Sequence, residues 1–380
     1  MTTYMKLLNI EGIDDVILGY IEWIYKNSDK SIIGKVKSTL KTYGEDYNFY
    51  IKILSIERLS YKEHPEIIDE DEIVKSLYWG KQIRIFNISK DRETLNWVLS
   101  ELEKYGNVSS YVDCLYHGLD IFDSEEVYKY IIKLIDFKNM KNFNYIDSYY
   151  IGEIMDKVQN AFINDLNKCY KIAITEIYFK NIMEWKQMKC TQHIFKNDAK
   201  SYAEIIDIVF LHEGENKEDI QENQQKLSTY MFDLYYCALF CPCEKNGDVN
   251  LEELKEWVEK FKENLKYQKQ YHLLGHQLGR LFAYSPIGKD GYYPHESIRY
   301  IIEELEDDTL RSSYVISEVN KRGVYSPDAG KTEREMALKY KENADYIRWM
   351  YPESAKIYDE LYETYNRQSK FERKRAEDEW

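Results

Sequence analysis

The sequence has few residues that break helices, with 16 glycines and 6 prolines among 380 residues. All-β folds need such residues at their many turns, and doubly wound folds need glycine at their ligand-binding loops. Their scarcity argues against both architectures and favours helices.

Basic charge is also scarce, because 52 Lys and Arg stand against 67 Asp and Glu, a net charge of −15. A protein that wraps duplex nucleic acid needs excess cations to displace counterions from the phosphates. The basic run at residues 370–375 is interrupted by Glu372 and followed by acidic residues, as is typical of a solvated helix face. We therefore expect no binding to duplex nucleic acid.

Features of secreted and membrane proteins are missing as well. No stretch approaches the roughly 20 apolar residues that span a bilayer, and Met1 to Gly12 lacks the charged and apolar regions of a signal peptide. The six cysteines are scattered, as expected for reduced thiols. These features predict a cytoplasmic protein with no membrane partner.

Amphipathic helices recur along the chain. Apolar residues are spaced i, i+3, i+4, i+7, which places them on one face of a helix. Six segments show this spacing: Ile17, Tyr20, Ile21, Ile24; Leu95, Val98, Leu99, Leu102; Val127, Tyr130, Ile131, Leu134; Ile151, Ile154, Met155, Val158; Leu254, Trp257, Val258, Phe261; and Ile298, Ile301, Ile302, Leu305.

Several helix starts are predicted from capping residues. Asp123 precedes two glutamates, and Asn250 and Thr332 are each followed three residues later by a glutamate, the spacing of a capping box. Pro294 and Pro352 suit the first turn of a helix, where a missing N–H costs nothing.

The connections between these helices are short, for example residues 105–107 and 136–144, and short links make antiparallel hairpins. The spacing between helices has no fixed period. We predict an all-α fold, an irregular solenoid of stacked HEAT-like hairpins without a substantial sheet. The predicted divisions are an amino-terminal segment (1–70), a hairpin array (71–212) and a carboxy-terminal region (226–380) after a charged loop at 213–225.

Two short motifs suggest a phosphate site and a zinc site, but both are incomplete. Gly330-Lys331-Thr332 lacks the earlier glycine and the strand of a phosphate-binding loop, so we interpret Thr332 as the cap of the next helix. His272 and His276 could hold zinc with His295 or Glu296, but no glutamate follows the first histidine. They are interpreted as interface histidines.

The cysteine cluster and a partial calcium loop are incomplete in the same way. Cys237, Cys241 and Cys243 have no second cysteine pair, although His193 or His212 could complete a site. The segment 242–253 begins with Pro242, where a calcium loop requires a carboxylate. The sequence therefore predicts no metal and no cofactor.

One spacing suggests an enzyme. Arg58, five intervening residues and His64 resemble the Arg–His motif of HEPN ribonucleases, which are all-α. The segment departs from that family because Leu59 replaces the usual polar residue and Pro65 follows the histidine directly. A ribonuclease that uses Arg58 and His64 is the alternative prediction.

Three segments resemble a helical carboxy-terminal region of large uncharacterised bacterial proteins, some of them associated with phage-defence loci. These segments are Gly279–Arg299, Asn320–Tyr325 and Ile146–Glu153, and the resemblance covers about residues 90–370. It implies a sensor or partner-binding platform whose catalytic partner is encoded separately.

The leading prediction is a non-enzymatic helical-repeat scaffold or sensor that binds a protein, in bacterial antiviral defence. Within Gly279–Arg299, serine, proline and glycine residues indicate a turn between two helices. Aromatic and basic residues lie close together in the same segment. The predicted binding surface comprises Arg280, Tyr284, Tyr292, Tyr293, His295 and Arg299.

Overall fold

A computed structural model describes residues 13–43, 47–81, 87–136, 145–216, 218, 220–323 and 328–378. Four predicted features fall partly or wholly outside these ranges: the amino-terminal segment Met1 to Gly12, the connection at 136–144, the charged loop at 213–225, and the resembling segment Asn320–Tyr325. The chain divides into two compact units, Met1–Gln187 and Met188–Trp380. This division was not predicted, and the divisions at 70 and at 213–225 lie inside the units and stay predictions.

The described ranges are mainly α-helical, which confirms the all-α prediction. None of these helices is long and apolar enough to cross a membrane. The helices of the first unit are α1 (Ile13–Asn27), α2 (Ile32–Tyr43), α3 (Tyr47–Leu54), α4 (Glu72–Lys81), α5 (Arg92–Lys104), α6 (Val108–His117), α7 (Ser124–Lys133), α8 (Tyr145–Phe162) and α9 (Leu166–Tyr178).

The second unit adds nine helices and one hairpin of two short antiparallel strands within the part of the chain that is described. These elements are α10 (Lys189–Asn197), α11 (Ala199–Val209), α12 (Glu222–Cys237), β1 (Glu244–Lys245), β2 (Asp248–Val249), α13 (Leu251–Tyr267), α14 (Leu274–Phe282), α15 (Glu296–Leu305), α16 (Asp308–Asn320), α17 (Lys331–Ile347) and α18 (Pro352–Asp378).

The six predicted amphipathic segments lie in α1, α5, α7, α8, α13 and α15, except that Leu134 falls in the 3₁₀ turn directly after α7. Their apolar positions mostly form the core; Val98, Ile154 and Phe261, for example, are fully buried. Tyr20 of α1 is an exception, since 63% of its surface is exposed. Helices mainly pack on neighbours in the chain, as α5 does on α6, and α8 on α7 and α9. The stacking of such hairpins into a solenoid stays a prediction.

Two of the predicted caps are confirmed. Asp123 forms a reciprocal capping box with Glu126, and the Asn250 side chain accepts the backbone N–H groups of Glu252 and Glu253 in the first turn of α13. Pro352 is the first residue of α18, as predicted, whereas Pro294 lies two residues ahead of α15. The predicted charged loop is also shorter than expected, because α12 already begins at Glu222.

The prediction that Thr332 caps α17 is wrong. The helix begins at Lys331, and the Asp328 carboxylate accepts the backbone N–H groups of Lys331 and Thr332 at 3.0 and 3.1 Å. Gly330 has a positive φ of 76°, and a Cβ there would lie 2.3 Å from the backbone oxygen of Ser369. This glycine therefore serves a helix contact and not a phosphate.

Helices α14 and α16 approach each other closely at two glycines. A Cβ on Gly279 would lie 2.2 Å from the Leu310 carbonyl oxygen, and one on Gly275 would lie 2.7 Å from the Asp307 carboxylate. The Ser313 hydroxyl donates to the His276 carbonyl oxygen across the same contact, at 2.7 Å. The predicted binding segment thus begins on a helix with one face sealed against α16.

Candidate functional site

Arg280 holds the end of another helix and does not lie on a surface. It is 8% exposed, and its guanidinium donates to the carbonyl oxygens of Tyr235 (2.5 Å), Tyr236 (2.8 Å) and Ala238 (3.2 Å). These carbonyls lie at the carboxyl end of α12, where helix carbonyls lack partners and the dipole favours a cation. The prediction that Arg280 lies on the binding surface is therefore corrected: its side chain is buried and stabilises the end of α12.

Arg299 is also buried, with 1% of its surface exposed. One guanidinium nitrogen donates to both oxygens of Asp290, at 2.7 and 2.8 Å, and the group stacks 4.6 Å from the ring centre of Tyr351. A guanidinium enclosed in this way holds Asp290 in the loop between α14 and α15 and is not available to a partner. The prediction that Arg299 lies on the binding surface is corrected accordingly.

Gly288 makes room for this charged cluster. A Cβ at that position would lie 2.5 Å from the Glu296 carboxylate, 2.8 Å from the Asp290 carboxylate and 2.9 Å from the Arg299 guanidinium. Its backbone N–H donates to the Tyr292 carbonyl oxygen at 2.8 Å, which closes the loop. The absence of a side chain at Gly288 thus allows charged side chains to converge beneath the loop.

His295 is 2% exposed and caps α15. Its Nδ1 atom accepts the Ser297 backbone N–H at 3.2 Å, so the proton lies on Nε2, which donates to Asp248 at 2.9 Å. Both ring nitrogens are engaged, and the neutral tautomer fits this arrangement. His295 therefore links α15 to the β-hairpin, which corrects its predicted place on a surface.

Tyr284 and Tyr293 lie against Lys321 of the turn after α16. The ammonium lies 4.8 and 5.3 Å from their ring centres and donates to the carboxylate of Glu318 at 2.6 Å. Burial raises the pKa of Tyr293 to about 12, and that of Tyr284 is raised for the same reason. The two rings are half-buried and already have a cation of this chain as partner.

Tyr292 is the member of the predicted set that borders a real aromatic surface. Its ring stacks on Tyr346 at the end of α17, with ring centres 3.9 Å apart. Tyr346 is 61% exposed, and the turn that follows exposes Trp349 by 96% and Met350 by 74%. We call Tyr292, Tyr346, Trp349 and Met350 the aromatic patch.

Sequence reasoning missed three of these four residues, although a signal was present. Five of the six residues 346–351 are large and apolar, with only Arg348 polar. A helix buries one stripe of its surface, so an almost continuous apolar run at a helix end must leave some members outside. Ile347 is the member that is buried, at 2% exposed.

A polar cleft lies between the β-hairpin and the start of α15. Its volume is about 390 Å³, and its walls include Lys245, Asp248, Glu253, Lys289 and His295. The charges pair with each other: Lys289 with Asp248 at 2.9 Å, and Lys245 with Glu253 at 2.7 Å. The Lys289 hydrogen bond lowers the pKa of Asp248, so this carboxylate is a poor base.

Arg58 and His64, the residues of the alternative prediction, are both exposed but bind different side chains. The Arg58 guanidinium donates to Ser89 at 3.3 Å, and the His64 ring lies 3.1 Å from the Asp69 carboxylate. His64 also has a positive φ of 48° at the end of a short 3₁₀ turn. The ribonuclease activity stays a prediction.

The described residues contain no group of three His, Cys, Asp or Glu side chains arranged to hold a metal ion. His272 lies in a 3₁₀ turn and His276 in α14. All six cysteines are described and all are free thiols, with Cys241 and Cys243 buried. Burial raises the pKa of Cys243 to about 12, which makes its thiolate hard to form.

Comparison with known proteins found no matching family model, no matching curated protein and no matching solved structure.

Proposed function

We propose that this chain is a helical scaffold that binds a protein partner through the aromatic patch. The observation that carries the proposal is Trp349, which is 96% exposed on a turn between two helices. Tryptophan, tyrosine and methionine are enriched at protein interfaces, and tryptophan is prominent among the residues that dominate binding energy. Exposed clusters of such residues mark interaction sites.

The patch is held in place by its neighbours. Arg348, between Ile347 and Trp349, forms two hydrogen bonds with Asp359 of α18, at 2.8 and 2.9 Å. Ile347 is buried, which fixes the end of α17, and Tyr346 is stacked on Tyr292. A surface whose backbone is already held in place loses less entropy on binding.

The role of the polar groups supports a scaffold over an enzyme. Arg280, His295 and Arg299 each complete a helix end or a buried ion pair, and the charges in the polar cleft pair with each other. Groups used in this way hold the fold and are not poised to transfer protons. The resemblance extends the proposal to a sensor in bacterial antiviral defence whose effector is encoded separately.

The experiment is affinity capture from the native host with three tagged chains: wild type, Trp349→Ala and Tyr267→Ala. Tyr267 is a matched control, because it is an aromatic residue that is 90% exposed at the end of α13. We expect wild type and Tyr267→Ala to retain the same protein in a stoichiometric amount. Trp349→Ala should lose it, with binding weakened at least tenfold, since a hot-spot residue contributes about 2 kcal/mol or more.

Equal capture by all three chains would show that the patch is not the binding surface. The free energy of unfolding of both variants should lie within about 0.5 kcal/mol of the wild-type value, because substitution of an exposed side chain changes few contacts. A urea titration of each variant therefore separates lost binding from lost folding.

A further inference from the structure

His212 lies between two carboxylates at the start of the loop that joins α11 to α12. Its Nε2 atom lies 2.8 Å from the Asp207 carboxylate and its Nδ1 atom 2.8 Å from that of Glu215. The backbone N–H of His212 also donates to Glu215, at 3.2 Å. The ring therefore ties residues 212–215 back to the last turns of α11.

This geometry suits a doubly protonated ring. A neutral imidazole carries one N–H, so one of the two nitrogens would present its lone pair to a carboxylate oxygen. An imidazolium donates to both, and hydrogen bonds to a charged donor are the stronger kind. In agreement, the hydrogen bonds to Asp207 and Glu215 raise the pKa of His212, and the bond from His212 lowers that of Glu215.

The charged groups around the ring favour its cation. Asp207 faces it from α11, while Glu215 and Glu213 belong to the loop itself. Lys269, which follows α13, also contacts the loop, because its carbonyl oxygen accepts the Glu213 backbone N–H at 2.9 Å. The positive charge of the Lys269 side chain lowers the pKa of Glu215. The residues of α12 that line the groove beside the ring are uncharged: Gln224, Gln225, Leu227, Ser228 and Thr229.

The His212 contacts lie at the edge of a groove between the end of α11 and the start of α12. The groove has a volume of about 470 Å³, and its walls include Ile208, Phe210, Leu211 and Leu227. Both His212 and Glu215 also line it. Release of the Glu215 contact would therefore change access to a groove that is lined by both apolar and polar side chains.

We propose that residues 211–216 form a pH-sensitive latch on this groove, closed while His212 carries protons on both ring nitrogens and loosened when the ring becomes neutral. The latch is independent of the aromatic patch and of the function proposed for it. Since the folded state favours the protonated ring, the latch holds at acidic pH and weakens as pH rises through the pKa of His212.

The test is amide hydrogen exchange of residues 212–216 at pH 5.5 and 8.5, corrected for the intrinsic pH dependence of exchange. We expect protection in wild type to fall roughly threefold or more between these values, the scale of a partly exposed ion pair. In His212→Gln, protection should be as low at both pH values as it is in wild type at pH 8.5. The control His117→Gln removes a histidine that lies 3.2 Å from one carboxylate, that of Asp113 in the first unit, and should behave as wild type.

Two results would overturn the latch. One is protection in wild type that does not change with pH, and the other is a His212→Gln chain that matches wild type at pH 5.5. Nitrogen-15 chemical shifts of the His212 ring provide a check that needs no variant. They should show both nitrogens protonated at pH 5.5 and one at pH 8.5, and a ring that is singly protonated at both would refute the proposal.

Discussion

His295 and His212 both contact carboxylates in the second unit, yet they suit different protonation states. The second nitrogen of His295 accepts a backbone N–H, whereas the second nitrogen of His212 faces another carboxylate. His295 is 2% exposed, and the side chain of His212 is 32% exposed. The partner of the second nitrogen thus decides whether a histidine site holds a neutral ring or a cation.

The difference extends to the regions around them. The segment from Gly279 to Arg299 buries Arg280, His295 and Arg299, and each of these side chains forms hydrogen bonds with other parts of the chain. The loop that contains His212 is held by exposed charges, which solvent and salt screen. Substitutions in the segment from Gly279 to Arg299 should therefore lower the free energy of unfolding more than substitutions in the loop that contains His212.

Arg299→Ala should have the largest effect. It leaves the Asp290 carboxylate without its buried cation and opens a void beneath the loop, a loss of about 3 kcal/mol in the free energy of unfolding. Urea denaturation measures it, with exposed Arg58→Ala as the control that should change stability by less than about 0.5 kcal/mol. Similar losses in both variants would contradict the structural role assigned to Arg299.

Replacement of His295 should distinguish its two contacts. His295→Ala removes the cap of α15 and the bond to Asp248, which should cost about 2 kcal/mol. Asparagine is a good helix cap, so His295→Asn should recover about half of that loss. If alanine and asparagine were equally destabilising in thermal or urea unfolding, the cap would not be the main role of this ring.

His212→Gln should have the smallest effect and a pH-dependent one. The folded state raises the pKa of His212, so its contribution to stability is complete below the pKa of the unfolded chain and is lost as pH rises through the folded value. We expect a loss of about 0.5 kcal/mol at pH 5.5 and almost none at pH 8.5. Urea unfolding at the two pH values measures it, and a larger loss at the higher pH would contradict the assignment.

The helices were predictable because their information is local. The apolar spacing of Leu254, Trp257 and Phe261 identifies a buried helix face without knowledge of what covers it. The Asp123 cap was predictable for the same reason, since it acts within its own first turn. Thr332 was misassigned because Asp328, one turn earlier, offers the same acceptor chemistry at the start of α17.

The site could not be predicted in the same way, because burial of a charged residue depends on distant parts of the chain. Arg280 pairs with carbonyls about 45 residues earlier, and Arg299 is covered by Tyr351. Arginine is usually exposed, so two arginines close in sequence to tyrosines suggested a surface. Only three-dimensional contacts show that these side chains point inward and that Trp349 points outward.

The close contact of α14 with α16 limits how this sequence can diverge. Any side chain at position 279 would meet the Leu310 backbone oxygen at 2.2 Å, and a backbone atom cannot move aside as a flexible side chain can. A distant relative with the same helix crossing should therefore keep glycine at 279 while its surface residues drift. The spacing of glycines around this crossing is thus a more durable mark of ancestry than the aromatic residues nearby.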